Sequence, residues 1–454
     1  MGTKTLFAAL LITWLAVFQC CNGHNFNYKE ALTKSLMFLE AQRSGKLPAN
    51  NRIHWRGDSA LDDGKEANVD LVGGYYDAGD NVKYGMPMAF TITTLAWSAI
   101  AYEKELKAAG EMGNVHSALR WGTDYFLKCG KKRGIFYVQV GDPVEDHKCW
   151  VRPENMKTPR TVLQINETEP GTEIAAETSA AMAASSIDEL LWAASWLYTA
   201  THDQKFRKFI TEEAVSAVVD EFNWDLKYAG IQVLLSDIFL QSNDEALKIF
   251  KEHADSYICS VLPQSPYFKV PKTPGLYFIS PSSCLLFKIG PAGGLIHLRD
   301  GANLQYVTGV SFLFSIYGDL LQRHNLKVKC DCQEFDASTV LNFAKQQMDY
   351  ILGANPLGRS YMVGFGNNPP KQAHHRGASI PLSEANEDIN CGMSFARWFN
   401  KDSPNPNELT GAILGGPDKQ DKFSDLRWTS IYTEPCTYVN SLAVAGLAKL
   451  TCHK

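Results

Sequence analysis

Asp77 and Asp80 stand three apart within residues 70–90, DLVGGYYDAGDNVKYGMPMAF, with only Ala78 and Gly79 between them. Gly73, Gly74 and Gly79 admit turn conformations that a Cβ resists. Tyr75, Tyr76 and Tyr84 bring aromatic faces to the same place. Two carboxylates on such a loop suit sugar hydrolysis: one takes a proton from water while the pyranose ring lies on an aromatic surface. The same pair would equally cap the following helix or bind calcium. Spacing alone does not separate these readings.

Such chemistry also needs a carboxyl that stays protonated to serve the departing oxygen, its pKa raised by its surroundings. Residues 411–440 supply the candidate. They hold Asp418, Asp421, Asp425 and Arg427, then Glu434 between Tyr432 and Tyr438. Without context, Glu434 before Pro435 would read as a surface charge. Residues 360–376, SYMVGFGNNPPKQAHHR, add His374 and Arg376 in a Gly/Asn/Pro-rich loop. Arginine suits sugar hydroxyls and can also position a carboxylate. Residues 141–160 carry His147, Trp150 and Arg152, as a cleft wall or as a loop held by Asp142 and Asp146. Trp55 and Arg56, in residues 42–64, can meet a sugar or pack inside.

These blocks, taken in order, resemble glycoside hydrolase family nine, the plant endo-β-1,4-glucanases. The resemblance implies Asp80 as catalytic base, Asp77 as its partner on the water and Glu434 as acid. It implies that His374, Arg376 and Asp425 support substrate and carboxylates. Tyr75, Tyr76, Trp55, Trp150, Arg427 and Tyr438 become expected substrate contacts. The implied fold is all-α, six helical hairpins closed in an (α/α)6 ring, with long loops forming a cleft at one end. That family inverts, so acid and base should stand roughly 6.5–9.5 Å apart. The implied partner is a β-1,4-glucan, met by a monomer without cofactor or metal.

Several positions depart from the family's pattern. Ala373 replaces Pro or a larger aliphatic residue, Ser430 an aromatic, Cys436 a small residue and Leu426 an acid. Residues 172–201 run without Gly or Pro, and Ile187 leads straight into Asp188-Glu189-Leu190-Leu191-Trp192. The family has a further helix there, so one helix of the ring is expected to be missing. Residues 273–301 read as an apolar insertion. A catalytically impaired glucan-binding homologue is the alternative these departures raise.

The elements that must position the chemistry read as helices at 25–44, 89–109, 115–129, 304–323 and 336–352, from apolar residues at helical spacing. A strand is expected at 134–140. Residues 1–23 read as a secretory signal: Lys4, an apolar core at 6–18 too short to span a bilayer, and a small ending. Residues 24–454 then form one catalytic domain, since no Pro/Ser linker divides them. No later run is apolar enough to cross a membrane, so an extracellular location in the cell wall follows. With 45% hydrophobic residues, 20% charged and a net charge of −5, no basic patch argues for nucleic acid. Of 11 cysteines, Cys20 and Cys21 fall in the signal, which leaves an odd number. No Cys-x-x-Cys pair argues for zinc. Asn166-Glu167-Thr168 is an N-glycosylation sequon.

Overall fold

The computed structural model describes residues 26–182, 187–213, 219–275, 294–384 and 390–452. The expected signal, the junction at 183–186 and most of the expected insertion (276–293) lie outside the described residues.

Helices carry the architecture. The first half holds α1 (Tyr28–Ala41), α2 (Gly85–Ala101), α3 (Glu103–Ala109), α4 (Met112–Cys129) and the short α5 (Pro143–His147), then α6 (Thr172–Met182), α7 (Ile187–Thr201) and α8 (Gln204–Glu212). The second half holds α9 (Tyr228–Ser242), α10 (Lys248–Val261), α11 (Leu304–Arg323), α12 (Ala337–Leu352), α13 (Arg376–Ser379), α14 (Cys391–Ser394), α15 (Ser430–Thr433) and α16 (Thr437–Thr451). Successive long helices pack as antiparallel neighbours, α6 on α7, α9 on α10 and α11 on α12. Every residue of α16 from Thr437 to Ala448 is buried. That helix packs against α1, α2 and α11, so it sits inside the ring. Its small residues permit this: a Cβ on Gly446 would stand 2.9 Å from the Ser311 hydroxyl.

Local rules explain several helix ends. The Asn27 side chain accepts the Glu30 N–H at the start of α1, and Asp142 accepts those of Val144 and Glu145 at α5. The helix expected at 89–109 is two, broken at Tyr102, where φ −124° and ψ 36° leave the helical region. The expected strand is β2 (Ile135–Val140), flanked by β1 (Lys83–Tyr84) and β3 (Val162–Asn166) in an antiparallel sheet. β1 follows the DAGD loop and pairs Lys83 with Val140, so the chain leaving β2 enters α5 beside that loop.

The core centres on Trp97, whose ring meets those of Trp192, Trp196 and Phe312 at 5.7, 5.4 and 5.1 Å. Two disulfides, Cys149–Cys391 and Cys259–Cys330, tie distant segments. Cys129, Cys332, Cys436 and Cys452 are free thiols.

The ends of the expected insertion lie side by side. Lys272 pairs with Ile296 in an isolated bridge, and the Thr273 N–H donates to the Leu295 carbonyl at 2.8 Å. Whatever lies between leaves and returns at one point.

Candidate active site

The DAGD loop is built from the bottom up by buried charge. Asp63 binds Lys83 at 2.8 Å and Arg160 at 2.8 Å, and Lys83 also donates to the Leu71 and Gly73 carbonyls. A buried carboxylate with two cations has its charge matched, which is the condition for keeping it there. Above this base the loop turns tightly: the Asp80 N–H donates to the Asp77 carbonyl, and Ala78 takes φ +49°. Gln42 then clamps the turn from below, donating to the Ala78 carbonyl at 2.7 Å while its oxygen accepts from His375.

Gly79 is where three segments converge. A Cβ there would lie 2.4 Å from the His374 carbonyl oxygen, so no other residue fits. Its N–H points at Glu434 Oε1 (3.3 Å), and its carbonyl accepts from Arg376 Nη1 (2.8 Å). The same Nη1 donates to Asp80 Oδ1 at 2.6 Å, and Nη2 reaches Asp146 Oδ2 at 2.9 Å. His147 Nε2 meets the other Asp80 oxygen at 2.9 Å. Asp77, Asp80 and Glu434 thus come together with His374, Arg376 and His147 around one glycine.

The electrostatics pull the carboxyls apart. Burial drives Asp80 upward, but the hydrogen bond from His147 and the Arg376 charge outweigh it, and its pKa falls below the usual value. Burial, reinforced by the Asp80 charge, raises Glu434 to about 7. Burial, then the charges of Asp80 and Glu434, raises Asp77 to about 8. Below about pH 7 the cluster therefore carries its negative charge on Asp80. The imidazole of His374 is neutral, its pKa lowered to about 4 by burial. Its Nδ1–H donates to the Arg427 carbonyl at 2.7 Å, so Nε2, 4.0 Å from Glu434 Oε1, carries the lone pair. One carboxylate held anionic and one held protonated are the two tools of glycosidic cleavage.

Several residues expected to touch substrate are instead packed into the scaffold. Tyr75 and Tyr76 are buried, their hydroxyls bonded to the Ala118 carbonyl and to Ser59. Trp150 is buried behind His374 and Phe399, and its N–H donates to Ser379. The Arg427 guanidinium is buried among the carbonyls of Trp398, Phe399, Lys401 and Ser403. Tyr438 is buried close to Cys436, Asp77 and Glu434. Trp55 is half-buried, with its N–H on the Glu408 carbonyl. Asp425 accepts the Lys371 and Gln372 N–H groups and Arg359, which makes it a positioning residue for the strand-like approach to His374. Arg376 is likewise buried and holds Asp80 rather than reaching for sugar.

The contribution of His147 to Asp80, that of Asp146 to Arg376, and the Gln42–His375 clamp were not legible as site functions. From sequence His147 reads as a cleft-wall candidate or part of a structural loop, not as a partner of Asp80, and nothing in sequence spacing links residue 42 to residue 375. Asp80, Asp146 and His147 also have the spacing of a cation site among the described residues. The cation already seated between the two carboxylates is the Arg376 guanidinium.

A helical ring with one carboxyl lowered and one raised in pKa at one end suits a glycoside hydrolase, and the relatives show that class. The chain belongs to glycosyl hydrolase family 9, whose pattern matches residues 28–187 and 186–447. It is 58% identical to Endoglucanase 16 of Arabidopsis thaliana over 476 aligned positions, which cover 95% of this chain and 94% of that protein. It is 56% identical to Endoglucanase 8 of rice, over 94% of this chain and 90% of that one. Among solved structures, the termite (Nasutitermes takasagoensis) endoglucanase superposes with a TM-score of 0.77 at 31% identity, covering 94% of this chain and 99% of that one. The cellulase Cel9M of C. cellulolyticum, solved with cellobiose, gives 0.76 at 26% identity, covering 94% of this chain and 99% of its own. The ring is the (α/α)6 barrel of these enzymes, and the protein is an endoglucanase-type hydrolase.

Proposed function

We propose that the protein cleaves internal β-1,4-glucosidic bonds of cellulose-type glucans with inversion, Asp80 acting as base and Glu434 as acid. The observation that carries this is the opposite polarisation of the two carboxyls on either side of Gly79. Glu434 gives its proton to the glycosidic oxygen as the C1–O bond breaks. Asp80 takes a proton from a water that attacks C1 from the opposite face. Asp77, neutral below about pH 8, donates a hydrogen bond to that water. His147 and Arg376 hold Asp80 in its anionic form. The reading takes the protein as a monomer that works through its own side chains.

The protein is proposed to be secreted to the cell wall and glycosylated. Two disulfides favour an oxidising compartment. The Asn166 side chain accepts from the Thr168 hydroxyl and N–H, which presents the sequon as an exposed turn. No helix among the described residues is long and apolar enough to cross a membrane. We further propose that one helix is absent between α6 and α7. The family match breaks at 186–187, and the alignment with the Arabidopsis relative is longer than the 454 residues of this chain.

Fresh digests of cellohexaose followed by proton NMR test the mechanism: the α-anomer should appear first. Initial β-anomer would exclude inversion. Binding of soluble cellulose derivatives without release of reducing ends would favour the glucan-binding alternative.

A further inference from the structure

Near the acid in sequence, one tryptophan stays exposed where the others are covered. Trp428 is the only exposed tryptophan among the described residues, at 38%, and it precedes Glu434 by six positions. Ile431, three residues on, is 54% exposed and borders Gly301. Half-buried Ser430 stands between them with no bulk of its own.

The backbone carrying this patch is fixed close to the acid. Arg427 is anchored through its guanidinium to the 398–405 segment, as described above, and through its carbonyl to His374 Nδ1. The other nitrogen of that imidazole lies 4.0 Å from Glu434 Oε1. Thr433 Oγ1 donates to the Leu426 and Thr429 carbonyls, folding residues 426–433 back on themselves. The His374 N–H meets the Thr433 carbonyl at 2.9 Å. The Trp428 backbone is therefore held one peptide from the acid's neighbour while the residue stays 38% exposed. A large aromatic with over a third of its surface in solvent on a pinned loop is suited to a ligand with an apolar face. Pyranose rings whose hydroxyls are all equatorial, the units of a β-glucan, present such C–H faces.

We infer that Trp428 is a stacking platform for a glucosyl unit bound beside Glu434, and that it sets affinity for longer chains. This rests on the endoglucanase reading. The test uses Glu434→Gln as a background that binds without turnover and measures cellohexaose affinity by calorimetry. Adding Trp428→Ala should weaken binding by roughly tenfold, the size expected for one aromatic contact. Adding Trp428→Phe should restore most of it. Melting temperatures should stay within about 2 °C, since surface substitutions rarely exceed about 0.5 kcal/mol. In the active enzyme, Trp428→Ala should raise KM and leave kcat nearly unchanged. Equal affinity for Glu434→Gln with and without Trp428→Ala would overturn the inference. A loss that Phe does not restore and that lowers the melting temperature would assign Trp428 to the fold instead. If the background binds no cellohexaose at all, both the substrate class and the platform fall. Weakened binding by the Ala variant, with no reducing ends released by the unmutated chain, would keep the platform and discard the hydrolase mechanism.

Discussion

The cleft end of the barrel and the flank formed by α6, α7 and α10 treat buried polar groups differently. At the cleft, Arg376 serves Asp80, Asp146 and the Gly79 carbonyl, Arg427 binds four carbonyls, and Lys83 has Asp63 and two carbonyls. On the flank, the Thr178 hydroxyl, the Trp192 and Trp196 indole N–H groups and the Tyr257 hydroxyl are buried without a hydrogen-bond partner among the described residues. Each such group costs about 1–3 kcal/mol relative to a satisfied one. The flank adjoins the junction where a helix is proposed to be absent. Single atoms at the cleft also lack a partner, Asp146 Oδ1, Arg359 Nε and Gln372 Oε1 among them, but each of those side chains is held through another atom, whereas the flank's hydroxyls and indoles have no second polar atom to hold them.

The largest effect should come from the network's reactive ends. Asp80→Asn and Glu434→Gln should each lower turnover by about 10²–10⁴-fold, the usual value of one proton-transfer partner. Glu434→Gln should keep its melting temperature, whereas Asp80→Asn should melt lower while staying folded, because it leaves the buried Arg376 without one of its two carboxylates. Near-full activity in either variant would withdraw that residue's role, and unfolding would show that the network also carries the fold.

Next is Arg376→Lys. An ammonium keeps the charge but cannot bridge Asp80, Asp146 and the Gly79 carbonyl at once. Turnover should fall by about 10–100-fold, with KM little changed, because the residue orients the base rather than binding sugar. A rise in KM alone would place Arg376 against substrate, as its residue type first implied.

That case shows what residue type reveals and what it conceals. Asp77, Asp80, Glu434, His374 and Arg376 stand out because their motifs, in order, resemble the family's; type and spacing alone leave the aspartate pair open and make Glu434 a surface charge. Tyr75, Tyr76, Trp150 and Arg427 carry the same sugar-binding chemistry on paper. Burial, which no local pattern reports, turned them into scaffold: Tyr75 bonds a carbonyl 43 positions away, and Trp150 a serine 229 away. The long helices followed from apolar spacing, whereas the break at Tyr102 has no Gly or Pro to mark it. The Cys149–Cys391 pairing spans 242 positions, beyond any spacing argument.

The flank is tested by restoring a family-like helix after Ser186. Large apolar side chains returned to a packed interface contribute about 1.5–3 kcal/mol each, against a total of about 5–15 kcal/mol for a domain. The restored chain should melt several degrees higher, at about 2–4 °C per kcal/mol, and turn over faster. Trimming the 273–301 segment should matter less, since its ends already meet at Lys272 and Ile296. Equal melting and turnover in all forms would show the flank to be sound and erase the contrast with the cleft.

The smallest effect is a pH dependence at Asp77. Its carboxyl is held at about 8 in the folded protein by burial, with Asp80 and Glu434 adding to the shift, against about 3.9 in an unfolded chain. Between those values the folded state keeps a proton that the unfolded state has released. Stability from this group therefore falls as pH rises through that window, the reverse of a salt-bridged aspartate. Asp77→Asn removes the titration while keeping a neutral polar group of similar size. Its melting temperature should match that of the unmutated protein near pH 4 and rise progressively above it towards pH 8. Glu434 titrates in the same direction, so hydrolysis by the unmutated enzyme should fall as pH rises through about 7, when the acid loses its proton. Melting curves that run parallel from pH 5 to 8 would mean that Asp77 is ionised throughout. The cluster would then carry two negative charges, and Asp77 would accept a proton from the attacking water's hydrogen bond rather than donate one.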